Sequence, residues 1–254
     1  MAADLRVDWW SEGVLALTID RPKRRNVVDH ELLAELARVL ESDGKNAGAV
    51  VLGGAGGAAF SAGFDLDQIK GTESDLEADA SMGKAVDAIM SCPVPVIAMI
   101  QGHCHGGGVE LALSCDLRIA SDDLQLSLRA VSLGVVYRYQ LIARLVDTAG
   151  LGRAADLLLA MPVLGASEAL MWGLVSEVVA AADTNKRTRA MAEMLAASPR
   201  SAVEGTKASL LIAARHVARD EALDKTAGLR RRAATSSERR NALEAAKKRL
   251  GRSV

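Results

Sequence analysis

Apolar positions along the chain follow two periods. LRVDWW and VLALTI, either side of Glu12-Gly13, predict a hairpin whose second run is rich in strand formers. Pro22 and the cations Lys23, Arg24 and Arg25 then break the pattern. Asp29 is placed to cap a helix whose apolar face is Leu32, Leu33, Leu36, Val39 and Leu40, with Gly44 and Gly48 closing it. AVVL reads as a short buried strand and leads into a glycine-rich loop, GGAGGAAFSAGFDL. A helix around Leu76 to Met90 follows, then a second buried strand, VPVIAMI, which runs into GHCHGGGVELALSCD. Short apolar strands alternating with helices predict an α/β fold. Beyond about Gly134, Ala, Leu and Arg dominate. LVSEVV, near residues 174–179, reads as the last strand, and the chain from about residue 183 reads as helices. The basic runs Arg230–Arg232 and Lys247–Arg249 read as solvated helix faces.

Composition removes several classes of function. The 254 residues carry 31 Lys plus Arg against 32 Asp plus Glu, a formal charge of -1, so no global field gathers nucleic acid. Aromatic residues make up only 3% of the chain, too few for a base-stacking platform. Cys92, Cys104 and Cys115 show no zinc spacing and read as small apolar residues in a reducing compartment. The start, MAADLRVDWW, has acids where a signal peptide needs a basic start and an apolar run. The longest uncharged stretch, Ser91 to Val109, holds Pro93, Pro95, Gln101, two histidines and four glycines, poor material for a spanning helix. The expectation is a cytoplasmic protein with no nucleic-acid or membrane partner.

Two loops carry the candidate chemistry. Phe60-Ser61-Ala62-Gly63-Phe64-Asp65-Leu66 is rich in small residues, which let the backbone approach a ligand and aim amides at it. No GKS or GKT follows, and the glycines do not open an amphipathic helix, so neither a Walker loop nor a dinucleotide fingerprint fits. Gly106-Gly107-Gly108 opens a helix, whose unpaired amides and dipole favour negative charge. Glu110 lies three residues beyond Gly107, on nearly the same face. Oxyanion donor and carboxylate thus come from one segment. The bland alternatives are a favourable helix-start charge for Glu110 and close helix–sheet packing for the glycines. His103 and His105 flank Cys104 without a third ligand at metal spacing, so no metal is expected.

Together the loops resemble the enoyl-CoA hydratase/isomerase (crotonase) family. AFSAGFDL is similar to that family's A-F-x-A-G-x-D-L, IQGHCHGGGVELALSCDLRIAS to its N-G-x-x-x-G-G-G-x-E-L-A-L-x-C-D-x-R-I-A, and RPKRRNVVD to its R-P-x-x-x-N-A-L. GLGRAADLLLAM and GLVSEVV continue the register. The resemblance implies a spiral of ββα units over residues 1–195 holding an acyl-CoA site, and a helical region over residues 196–254 through which members associate as trimers or pairs of trimers. It implies an acyl-CoA substrate, with coenzyme A part of the substrate and no separate cofactor. The amides of Phe64 and Gly107 would hold the thioester oxygen. Lys23, Arg24 and Arg25 would lie near the CoA phosphates, with Ala62, Gly63, Asp65 and Leu66 cradling adenine. Val27, Gly106 and Ala130 are the remaining expected CoA or substrate contacts.

One half of the family's hydratase machinery is missing. Glu110 matches the first of its two catalytic glutamates, but Ala130 stands at the second, and no Asp or Glu occurs from Leu124 to Val146. Three readings follow. Glu110 alone serves as acid–base in a hydratase or double-bond isomerase. Alternatively Tyr137, in an L-G-V-V-Y segment similar to the L-G-V-P-Y of family decarboxylases, acts on a malonyl-type CoA ester. Thirdly, the chain binds acyl-CoA without chemistry. Arg129 and Arg138 flank this stretch, with a substrate-carboxylate clamp or a solvent-facing position as their two readings.

Overall fold

The computed structural model describes residues 4–70, 72, 75–215, 231, 235 and 237–249. The expected hairpin is present: β1 (Leu5–Ser11) and β2 (Val14–Ile19) pair antiparallel about Gly13, whose φ of +84° suits a residue without a side chain. Asp29 caps α1 (His30–Ser42) by accepting from the Leu32 amide. The chain then repeats a unit. A buried strand β3 (Ala49–Gly54) is followed by a three-residue strand β4 (Ala59–Ser61) and a helix α2 (Leu76–Ser91). Next come β5 (Val96–Ile100), β6 (His103–His105) and α3 (Gly107–Ser114). Then come β7 (Leu117–Ser121), β8 (Gln125–Ser127) and α4 (Tyr139–Ala149). In each unit the first strand joins one sheet and the second joins another, so the chain winds as a spiral of ββα turns.

After α5 (Leu151–Ala155), β9 (Leu164–Gly165) and α6 (Ala166–Met171), β10 (Glu177–Val179) closes the larger sheet. Its order is β1-β2-β3-β5-β7-β10, parallel from β2 onward; the smaller sheet runs β4-β6-β8-β9. The larger sheet's inner strands β2, β3 and β5 are buried along their whole length, as expected for strands covered on both sides, while the edge strand β1 exposes Arg6 and Asp8. Val50 and Leu52 face the main core with Leu33, Leu36, Ile89 and Leu111. Ala49 and Val51 face a second layer with Ile97, Ile119 and Ala192 of α7 (Thr184–Ala196). The short strands β4, β6 and β8 escaped the sequence reading because three residues are too few to show a period.

The terminal helices lean on this core. From α8 (Arg200–Arg215), buried Lys207 reaches Asp116 at 2.7 Å and the carbonyls of Ile89 and Val94. From α9 (Ser237–Arg249), buried Arg239 pairs with Asp75 at 2.8 Å. Lys247, expected on a solvated face, instead donates to the Ile69 carbonyl at 3.0 Å and is half-buried, while Lys248 and Arg249 are exposed. Of the other basic run, Arg231 is exposed, and Arg230 and Arg232 lie outside the described residues.

Asn26, which the sequence reading quoted in RPKRRNVVD without assigning it a role, is fully buried behind the cationic turn. Its Oδ1 accepts from the Arg21 amide at 3.0 Å, and its Nδ2 donates to the carbonyls of Ala55 and Ala59 at 2.9 and 2.7 Å. It therefore ties the turn to both ends of the loop between β3 and β4. An unpaired buried polar group costs roughly 1–3 kcal/mol. Asn26→Ala is expected to lower unfolding stability by about 2–3 kcal/mol in urea titration, the orphaned carbonyls supplying the loss.

Candidate active site

Two backbone segments meet with no side chain between them. Gly63 has φ +95°, and a Cβ there would stand 2.8 Å from the His105 carbonyl oxygen and 3.1 Å from the Gly107 nitrogen. A Cβ on Gly108 would stand 2.6 Å from the Ser61 carbonyl oxygen. Glycine is thus required sterically at both positions, and the loop after β4 lies directly on the first turn of α3.

Hydrogen bonds around Phe64 leave its amide out. The Ala62 amide donates to Arg25 O at 2.8 Å, Gly63 to Ser61 Oγ at 3.1 Å and Asp65 to Val28 O at 2.8 Å, while Gly63 O accepts from Val28 at 2.9 Å. The Phe64 amide donates to no described residue. Gly107 is the first residue of α3, where an amide has no partner within the helix. A Cβ on Gly107 would stand 3.4 Å from the Phe64 nitrogen and 2.7 Å from the Met82 methyl, so these amides are neighbours in a site walled by α2.

One turn into α3, Glu110 is 4% exposed. It is not alone: Arg138 Nε donates to its Oε1 at 3.0 Å, and Arg138 Nη2 reaches the same oxygen. Burial pushes the Glu110 carboxyl above its ordinary range, against the pull of Arg138. Arg138 is itself buried, at 8%, so the solvent-facing reading fails for this residue. Tyr137 is half-buried, with its hydroxyl 3.7 Å from where a Gly106 Cβ would stand. Burial first, then the Glu110 charge, raises its phenol, so it stays a neutral donor. Ala130, the residue expected at the second glutamate position, is buried at 5% and carries only a methyl.

The expected CoA contacts divide. Lys23 and Arg25 are exposed and have no ion-pair partner among the described residues. Arg24 is already paired, to Asp65 at 2.6 Å and Asp67 at 3.2 Å. Asp65 is buried, and its carboxylate also accepts from the Asp67 amide, so it frames the loop. Val27 is buried at 6%; Ala62, Leu66 and Gly106 are half-buried. His105 sits between Ser127 Oγ at 2.9 Å and His103 Nδ1 at 3.2 Å, and burial, with the nearby His103, Arg129 and Arg25, lowers it to about 4. It is therefore neutral near pH 7. Among the described residues no group of three His, Cys, Asp or Glu is placed to hold a metal, and no helix is long and apolar enough to cross a membrane.

Residues 10–250 match the enoyl-CoA hydratase/isomerase family. The chain belongs to that family. The peroxisomal Delta(3,5)-Delta(2,4)-dienoyl-CoA isomerase of Arabidopsis thaliana is 33% identical over 232 residues, 85% of this chain and 83% of the relative. An enoyl-CoA hydratase from Mycobacterium avium subsp. paratuberculosis K-10 superposes with a TM-score of 0.84 at 28% identity, covering 97% and 96% of the two chains. Methylmalonyl-CoA decarboxylase in complex with 2-nitronate-propionyl-CoA superposes with a TM-score of 0.89 at 23% identity, covering 96% and 95%, a likeness of fold. The α/β architecture is the crotonase fold.

In this enoyl-CoA hydratase/isomerase family member, sequence reading missed Met82, Gly83, where a Cβ would stand 2.8 Å from Arg138 Nη1, and the pairing of Arg138 with Glu110. Met82 and Gly83 sit mid-helix, where nothing local distinguishes them. The one available signal for Arg138 was an arginine in a stretch without any acid. The backbone contact makes a sharp prediction. Gly108→Ala, forced against Ser61 backbone, is expected to cost about 1–3 kcal/mol in denaturant unfolding. Gly152→Ala in α5, with nothing within 4 Å, is expected to be neutral or stabilising.

Proposed function

We propose that this chain transfers protons on an acyl-CoA thioester through an enolate, moving the double bond of an enoyl-CoA, with Glu110 as the acid–base. The observation carrying this reading is the pair of neighbouring, unengaged amides of Phe64 and Gly107 with one buried carboxyl a turn away. The two amides would hold the thioester oxygen as negative charge develops on it. Such a donor contributes roughly 3–4 kcal/mol in enzymes where one has been removed. Glu110 would take a proton from one carbon and return it to another. A single carboxyl suffices for that shuttle, whereas two-carboxylate hydration needs a second group where Ala130 has only a methyl.

The CoA moiety would approach along the cationic turn. Lys23 and Arg25 are the free cations for its phosphates, and Arg24 would contribute while fixed to Asp65. Val27, Ala62, Gly63, Leu66 and Gly106 would line its path, and Ala130 the acyl end. We further infer a homotrimer or a pair of trimers, supported by exposed apolar side chains on the later helices, among them Leu159, Met171, Leu210 and Ile212. Sedimentation at micromolar concentration tests this, and a monomer would overturn it.

A second reading has one observation in its favour: the Tyr137 hydroxyl beside Gly106. A neutral phenol there would donate to a malonyl-type ester, the same amides holding the enolate left as CO2 departs. The deciding experiment offers the protein a 3-enoyl-CoA and a malonyl-type CoA ester. Conjugation of the double bond is read by absorbance and CO2 by coupled assay. Glu110→Gln is expected to slow isomerisation by about 10²–10⁴-fold, the contribution typical of general acid–base catalysis. Tyr137→Phe is expected to change isomerisation only a few-fold, and a large loss of CO2 release in that variant would instead favour decarboxylation. Acyl-CoA binding by calorimetry with no turnover of either ester would sink both in favour of a binding protein.

A further inference from the structure

Both hydrogen bonds from Arg138 end on the same oxygen of Glu110, one from Nε and one from Nη2, to Oε1. Oε2 accepts none from a described residue. An oxygen already facing two N–H groups is a poor place for a proton, which would point at those donors. The guanidinium is held on its other side by α2. A Cβ on Gly83 would stand 2.8 Å from Arg138 Nη1, so the missing side chain makes the notch in which the arginine lies. A second arginine steadies the helix beneath. Arg144 of α4 donates to Ser114 Oγ at 2.7 Å, and that hydroxyl donates to the Glu110 carbonyl at 2.7 Å. The charged groups acting on the Glu110 carboxyl are therefore Arg138 and Arg144, which favour its ionised form, and Asp79 of α2, which opposes it; Tyr137 stands by as a neutral phenol.

We propose that Arg138 is a positioning residue: it pins Oε1, so that Oε2 alone exchanges a proton with the acyl chain. In the forward step the substrate C–H bond breaks, its electron pair enters the enolate, and an O–H bond forms at Oε2. The return step reverses these changes at another carbon. This rests on the reading of Glu110 as the acid–base.

The test titrates Glu110 directly in the free protein. Carbon-13 labelling of glutamate carboxyls, with Glu110→Gln to assign the signal, gives its midpoint by NMR. Arg138→Met is expected to move that midpoint upward by about 1–3 pH units, the reach of a neighbouring guanidinium on a carboxyl. Arg138→Lys should move it less, because the charge remains and only the fork is lost. Gly83→Ala, which crowds Nη1 without removing charge, should move it slightly in the same direction and serves if Arg138→Met does not fold. Exchange of acyl-CoA α-protons in heavy water supplies the second readout: kcat falls in Arg138→Met, its acid limb follows the midpoint upward, and KM stays within about threefold, the acyl-CoA contacts being untouched. A midpoint unmoved in every Arg138 and Gly83 variant overturns the role of Arg138 even if Glu110 proves essential. Full exchange in Glu110→Gln overturns the acid–base reading itself, and the role of Arg138 in turnover falls with it.

Discussion

Backbone pressed on backbone is the constraint from which the rest of this site follows. The loop from Ser61 to Asp65 lies on the first turn of α3 at distances that leave no room for a Cβ at Gly63 or Gly108. That contact brings the Phe64 and Gly107 amides together and keeps both out of the ladder that satisfies their neighbours. Unpaired amides are costly to shield from water, and rigid surroundings hold them in place: the Val28 bridge and the Arg24–Asp65 pair brace this loop, and Asn26 braces the strand that leads into it. Preorganised donors of this kind need not rearrange when charge develops between them.

The carboxyl beside those amides is under opposed forces. Desolvation resists its charge, and a guanidinium buried with it favours that charge. Neither alone would suit the proposed role, in which Glu110 both takes and gives a proton. A fully desolvated glutamate would hold its proton too tightly, and one fully satisfied by arginine would not accept it. A buried pair is not a strong source of net stability, because desolvation offsets the attraction. In the role proposed for Arg138 its value is orientation, with Oε1 occupied and Oε2 left available.

Much of the architecture was legible along the chain because the main strands and helices carry their own periodicity. The β1–β2 hairpin, the Asp29 cap, β3, β5, α1 and α2 all fell where short apolar runs, turn residues and helical spacing placed them. So did the loop and helix start bearing Phe64, Gly107 and Glu110, whose glycines record a close approach in the residue type itself. Lys247 shows the opposite case. A lysine in a basic run looks solvated, yet its ammonium meets the Ile69 carbonyl, contributed by a loop far away in sequence.

What the sequence determined by itself was therefore local: strands by short apolar runs of strand formers, helices by face and cap, and a glycine pattern shared with the enoyl-CoA hydratase/isomerase family. What only the tertiary structure decided was pairing across distance. That Arg138 turns inward to Glu110, that Gly83 gives it room, and that Asn26 joins three segments depend on side chains from different turns of the spiral. No periodicity encodes such meetings. A buried charge finds its partner through the winding of the chain, and the winding is set by the packing of many apolar residues at once.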